Sequence, residues 1–244
     1  DVLNGGVDIV PENRSLGIYD AIVYQGDMKF SGRFILPDFE TLGIQEKHIE
    51  WNKATVNMGV TDLRGLEGSF DFTWNDSALE MSSGLSSKEI YPSGIHAPVF
   101  IEKGKEYNFN ISSILRGSTS FSVVPFGKQT KFSMKSPWQE PSFKGSYATA
   151  AYTPSQNGFE ASWEVSHLNR NYPQAWSGTK YNPTLDFFGT EFIQSVDTYS
   201  KTNRVAKYAI LIIALTFMVF YFSELIPASS VNALQYVLIG SALV

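Results

Sequence analysis

Residues 158–167 read Gly-Phe-Glu-Ala-Ser-Trp-Glu-Val-Ser-His. Phe159, Ala161, Trp163 and Val165 alternate with Glu160, Ser162, Glu164 and Ser166. Successive side chains leave a strand on opposite sides, so a period of two describes a strand with one face in a core and one in water. Gln156-Asn157-Gly158 just before it is a turn signal. The stretch therefore predicts a half-buried strand entered from a tight turn, the habit of antiparallel sheets with one solvated face.

The same pattern recurs on both sides of this segment. Inward candidates are Phe70, Phe72 and Trp74; Tyr107, Phe109 and Ile111; Phe121 and Val123; Phe132 and Met134; and Val56, Met58 and Val60. Turn signals separate them at Trp74-Asn75-Asp76, Arg116-Gly117-Ser118 and Pro125-Phe126-Gly127. Strands recurring at roughly ten-residue intervals predict antiparallel sheets packed as a sandwich. Parallel βαβ units would need intervening helices of about a dozen residues, and none stands out. The pattern weakens over Leu36–Glu50, where a short helix or loop is expected, and Asn169–Pro183 reads as a long surface connection. The content of 12 Tyr, 18 Phe, 5 Trp and 19 Gly fits aromatic strands joined by tight turns. With 43% hydrophobic residues, the 244 residues can bury one large core or two small ones.

The charge is uneven. Beyond residue 200 stand Lys201, Arg204 and Lys207 against Glu224, which leaves 16 basic and 23 acidic side chains in the first 200 residues, a net of −7. An acidic domain without a basic stripe excludes nucleic acid as the expected partner. No cysteine is present, so disulfides, thiolate catalysis and cysteine-based zinc sites drop out. The opening Asp-Val-Leu-Asn-Gly-Gly holds no apolar leader. The expectation is a fragment whose domain is incomplete at its start.

Composition changes abruptly near residue 201. Tyr208–Phe222 carries no charge, and Val205–Ile226 gives 22 residues, roughly 33 Å at 1.5 Å per residue, enough for a hydrocarbon core of about 30 Å. Lys207 can snorkel, Tyr208 and Tyr221 suit interfacial belts, and Pro227 stops the helix. A second uncharged run follows from Val231 to Val244. The expected fold class is mainly β: an antiparallel, sandwich-like domain over 1–200, then a transmembrane region over 201–244 with one helix at about 205–226 and a second starting at about 231.

Lys207-Tyr-Ala-Ile-Leu-Ile-Ile-Ala-Leu-Thr-Phe217, with Glu224 after it and Gln235-Tyr236 opening the next run, resembles the CreD family of bacterial inner-membrane, cell-envelope-integrity proteins. Agreement continues upstream at Arg64-Gly65 ahead of Trp74-Asn75, Gly94-Ile95-His96-Ala97, and Ser122-Val-Val-Pro-Phe-Gly127. It includes Ser136-Pro-Trp138, Pro141-Ser-Phe143, Gly145, Gly158-Phe159 with Trp163, and Leu168-Asn-Arg170. In order, these run from about Gly17 to the last residue. The resemblance implies a multi-pass protein of the bacterial inner (cytoplasmic) membrane, with a large extracytoplasmic domain between one helix and a later block of helices. Lys201, Arg204 and Lys207 taken alone would put the β domain in the cytoplasm. A long translocated domain follows an upstream helix instead, so the expectation is extracytoplasmic. The family brings no established enzymatic activity and no catalytic residues.

Candidate sites are few. His48, His96 and His167 have no metal-ligand spacing, and no phosphate loop, dinucleotide fingerprint or nucleophile elbow is present. No cofactor and no metal are expected. His167 reads as a half-buried structural residue at the end of the Trp163 and Val165 face. Glu160 and Glu164 have the spacing of a carboxylate pair but read as a solvated strand face. Trp138, Tyr172, Trp176 and Tyr181 sit in Pro- and Gly-punctuated stretches, where aromatics stack on sugars, grip a peptide or pin a long loop. Glu224, an ionisable group ending a membrane helix, is either functional or an interfacial carboxylate reaching water. The function expected is a non-enzymatic envelope protein whose β domain binds or senses an envelope component. Its partners would be membrane lipid and an envelope component or another membrane protein. The alternative is a transporter or lipid-handling protein capped by the β domain.

Overall fold

The structure, a computed structural model, describes residues 1–16, 19–86, 90–193 and 196–225, with residues 232 and 240. Its strands are β1 (Val2–Leu16), β2 (Tyr19–Ile35), β3 (Thr55–Gly59), β4 (Leu66–Trp74), β5 (Ser77–Ala78), β6 (Ser82–Ser83) and β7 (Gly94–Pro98). They continue with β8 (Glu106–Ser118), β9 (Ser120–Val123), β10 (Gln129–Ser136), β11 (Pro141–Gly145), β12 (Ala151–Ser155), β13 (Gly158–Ser166) and β14 (Phe188–Phe192); helix α1 follows over Val196–Leu225. The chain divides into two compact units, Asp1–Ile193 and Gln194–Val244.

In the first unit, the decisive segment becomes β13, paired antiparallel with β10 and with β12. Eight strands form one sheet in the order β12-β13-β10-β1-β2-β8-β4-β5. Its inward face carries Val7, Ile9, Met28, Phe132, Met134, Phe159, Ala161, Trp163 and Val165, all buried. The outward face carries Asp8, Lys131, Lys135, Glu160 and Glu164, all exposed. Lys131 pairs with Glu164 at 3.2 Å and Lys135 with Glu160 at 3.3 Å. The two glutamates are thus neutralised across strands, which is a solvated ladder rather than a reacting pair.

Two small sheets back the inward face. The order β11-β14-β9 brings Phe121, Val123, Phe188 and Phe192 onto it. The order β3-β7-β6 brings Ala97, with Val56 and Met58, onto Phe72, Trp74, Tyr107 and Ile111. Phe30 and Met58 touch both clusters. The architecture is mainly β, built of predominantly antiparallel sheets in a sandwich-like arrangement.

Leu36–Glu50 is loop with a 3-10 turn at Glu46–His48, in line with the short helix or loop expected there. Two details depart from the sequence reading. The β1–β2 hairpin over Val2–Ile35 carries no clean alternation, and β1 runs parallel to β10 over Val2–Asp8. Helix α1 begins at Val196, nine residues before the expected start. Residues 196–204 are polar but contain no proline or glycine, so nothing ends the helix when its apolar run begins.

Among the described residues no helix is long and apolar enough to cross a membrane. Within α1, the side chains of residues 196–201, 204, 206 and 224 lie outside the described ones. The side chain of Glu224 therefore lies outside the described residues, as does the expected second apolar run from Val231, apart from residues 232 and 240.

Candidate functional site

After β13 the chain makes a 3-10 turn at His167–Asn169, capped by Ser166 Oγ, and then crosses the unit in an irregular loop to a second turn at Pro183–Leu185. A loop of this length would wander without fixed points, and it has several. Arg170, only 8% exposed, donates from Nη1 to the Pro125 carbonyl at 2.8 Å. The Tyr172 hydroxyl donates to the same carbonyl at 2.6 Å. Arg170 Nη2 reaches Gln174 Oε1 at 2.6 Å, and Gln174 Nε2 reaches the Phe126 carbonyl at 3.0 Å. At the far end of the loop, Asn171 donates from its backbone and its amide to Asp186, both at 3.2 Å.

The electrostatics follow from burial. The guanidinium of Arg170 lies 4.7 Å from the Tyr172 ring centroid. Burial pushes the Tyr172 hydroxyl up to about 12, so it stays a donor at any physiological pH. Burial, together with the Asp186 carboxylate, raises the Tyr147 hydroxyl too. The Arg170 Nη atoms and the Tyr172 hydroxyl are spent on the Pro125 carbonyl and on Gln174, while Arg170 Nε and the Tyr147 hydroxyl are buried without a partner among the described residues. The cluster can hold a loop rigid, and it presents no nucleophile with an adjacent base.

Of the four aromatics singled out in the sequence, the structure brings three together. Tyr172 meets Trp176 edge to face at 6.0 Å, and Trp176 meets Tyr181 in the same way at 6.0 Å. Arg170 lies over the Tyr172 ring and Lys180 over that of Tyr181, at 5.5 Å. Trp138 stands apart, packed edge-on against Phe192 at 6.1 Å. His96 and His167 place Nδ1 at 2.9 Å and 3.3 Å from the carbonyls of Gly84 and Lys128 respectively, and His48 sits in a 3-10 turn. His167 is half-buried. Among the described residues no group of three or more His, Asp or Glu side chains is placed to hold a metal.

Gln174 and Asp186 carried no sequence signal. Arg170 had one only as the end of the motif Leu168-Asn-Arg170, which the fold joins to Pro125-Phe-Gly127 across 45 positions.

The sequence profile described as Inner membrane protein CreD matches residues 1–244. The chain belongs to the CreD family. The inner membrane protein CreD of Escherichia coli (strain K12) is 30% identical over 237 residues, covering 96% of this chain and 52% of that relative. The chain thus spans about half the length of its curated CreD relative. A crystal structure of an M1 zinc metallopeptidase from Deinococcus radiodurans aligns with a TM-score of 0.33 and 5% identity, over 78% of this chain and 41% of its own. A likeness at that level carries no argument about this CreD-family chain.

Proposed function

We propose that this chain is the extracytoplasmic β unit and first following membrane helix of a multi-pass inner-membrane protein. In this reading it serves cell-envelope integrity without catalysis, and its β unit holds or senses an envelope component. The observation that carries the reading is helix α1 directly after a β unit in a CreD-family chain. Val205, Ile210, Leu211, Ile212, Leu215, Met218, Val219 and Phe222 are each more than half exposed. A helix apolar all round is at home in a protein core or in lipid. The uncharged run Tyr208–Phe222 of α1 reaches roughly 22 Å at about 1.5 Å per residue, and Val205–Leu225 roughly 32 Å, against a hydrocarbon core of about 30 Å. Thr216 donates to the Ile212 carbonyl, so its hydroxyl needs no water. Enzymatic readings lose support because the bonded groups of the polar cluster anchor the loop and no nucleophile in it stands beside a base.

The test is topological. The 244 residues lack cysteine, so Thr153→Cys on the exposed edge strand β12 gives this region a single label site. A membrane-impermeant maleimide should label it in intact spheroplasts of the full-length protein with its native cysteines removed. Labelling only after lysis would overturn the placement outside the membrane.

A further inference from the structure

Leu168 and Leu185 are the most exposed large apolar side chains described in residues 1–193, at 81% and 71%. They do not sit on unanchored loops. Each lies in a 3-10 turn, and the Asn171–Asp186 hydrogen bonds tie the two turns together. Phe126, also exposed, joins them through the Gln174 bond to its carbonyl and a 6.1 Å ring contact with Tyr172. Three apolar side chains are thus held toward solvent by a buried clamp. Exposed apolar surface on a rigid support is the usual mark of an interaction site.

Charge says what would cover it. The unit up to residue 193 is acidic, yet the segments 121–131 and 165–187 contain one acidic residue, Asp186, and it is buried with its oxygens engaged by Asn171. Lys128, whose carbonyl accepts from the His167 amide, and Lys180, over Tyr181, join no ion pair among the described residues. Elsewhere on the unit Lys29, Lys53, Lys103, Lys105, Lys131, Lys135 and Lys144 each lie beside a carboxylate, and Lys47 is the unit's other described lysine without an ion pair among the described residues. Two unpaired ammonium groups flanking apolar side chains match a negatively charged ligand that also brings apolar groups. Stacked sugars fit less well, because cations already cover the rings of Tyr172 and Tyr181.

We propose that Phe126, Leu168 and Leu185, flanked by Lys128 and Lys180, form a docking surface for an acidic polypeptide segment carrying apolar side chains. This rests on the reading of the β unit as an extracytoplasmic holding or sensing domain, and names its partner class. The leucines would fill pockets on the partner, and the lysines would steer it and fix its register.

The test uses the full-length protein in its membrane, with the photo-crosslinker p-benzoylphenylalanine at position 168 or 185, and at Asn110 on the open sheet face as control. Irradiation of intact cells should give adducts at 168 and 185 well above the control. Peptide sequencing should show another polypeptide whose attached segment is net acidic. Lys128→Glu with Lys180→Glu should lower the adduct yield by about tenfold. Leu168→Ser with the crosslinker at 185 should lower it similarly, while tryptic protection of the β unit stays unchanged. Adducts no stronger than at Asn110, or adducts to lipid, to glycan or within the same chain, would overturn the proposal. So would a yield indifferent to charge reversal. Thr153→Cys labelling in the same strains reads the location independently: labelled protein with no adduct refutes the docking surface alone, and unlabelled protein refutes the placement on which it stands.

Discussion

One sheet is covered in two different ways. Under β11-β14-β9 the core is dense with rings: Trp163 stacks on Phe188 at 5.3 Å, and Phe132 touches Phe121, Trp163 and Phe188. Trp163, Phe188, Phe192, Met134 and Val165 are all below 2% exposure. Under β3-β7-β6 the cover consists of strands of two to five residues and turns, and among its described core residues only Phe72 and the small Ala97 are buried to that degree. Trp74 still stacks on Tyr107 at 5.1 Å, but at 7% exposure. The same alternating strands thus yield a dry half and a looser half, depending on what is laid over them. Aromatic rings held between two continuous sheets have no room to relax, while those under short segments do.

The sharpest way to break that contrast is to truncate one tryptophan in each half. Trp163→Ala should cost about 5 kcal/mol and Trp74→Ala about 3 kcal/mol, measured by denaturant unfolding of the detergent-solubilised chain. Neither indole N–H has a partner among the described residues, so the loss is one of packing and not of hydrogen bonds. Equal costs would show the two halves to be equally tight.

A smaller contrast uses two glycines in the left-handed region. Gly158 opens β13 at φ +126°, and an added methyl would run into the Ser136 carbonyl and Pro137. Gly68, at φ +73° in the bulged part of β4, has open space around it. Both alanine variants carry backbone strain of about 1–2 kcal/mol. Only Gly158→Ala adds a collision with backbone, and its loss should reach about 3–4 kcal/mol in the same unfolding assay. A Gly68→Ala variant as damaging as Gly158→Ala would mean that the looser half has no slack.

The dry half also holds both the most and the least readable strands of the sequence. Strand β13 announced itself because every inward position holds a side chain. Strand β1 did not, because Gly5 faces inward where the rings of Phe132 and Phe30 already fill the space. Its hydrophobic alternation therefore has a hole in it. Its parallel partner β10 lies more than 120 positions away, beyond any local pattern. In the candidate site, the aromatics Tyr172, Trp176 and Tyr181 were legible as a loop cluster. The Arg170 clamp on Pro125 was not, since an arginine in a loop looks solvated until the fold buries it.

Two hydroxyls refine the comparison further. Burial pushes Tyr24, in the dry half, and Tyr91, beside Gly59 of the looser half, up to about 12. Each is raised above its unfolded value near 10, so its contribution is fully present below pH 10 and is lost as pH rises toward 12. For Tyr24, which donates to the Ser120 carbonyl at 2.9 Å, the loss should be about 2–3 kcal/mol. Tyr24→Phe should flatten that part of the alkaline unfolding profile, and an unchanged slope would show that ionisation leaves the dry half closed. Tyr172→Phe should cost less, about 1 kcal/mol at pH 7, because Arg170 still donates to the Pro125 carbonyl. A tryptic cut appearing within residues 169–183 would report the released loop.

The smallest effect tests the rim of the looser half. Asn75 and Asp76 join β4 to β5 with φ of +46° and +63°, the two left-handed positions of a type I′ hairpin turn. Asn75 earns its place by accepting the Asn108 amide on Oδ1 and donating its own amide to the Asn108 carbonyl, both at 2.8 Å. Asp76 makes no such contact among the described residues, so glycine there should relieve strain with nothing lost. Asp76→Gly should stabilise by less than about 1 kcal/mol. Because β5 is two residues long at the edge of the sheet, the gain should appear as slower amide exchange at the Leu79 N–H, which bonds the Phe72 carbonyl, more clearly than in the global midpoint. Slower exchange there with Trp163 unaffected would mean that the two halves open independently. Matched slowing in β13 would mean that the long sheet couples them.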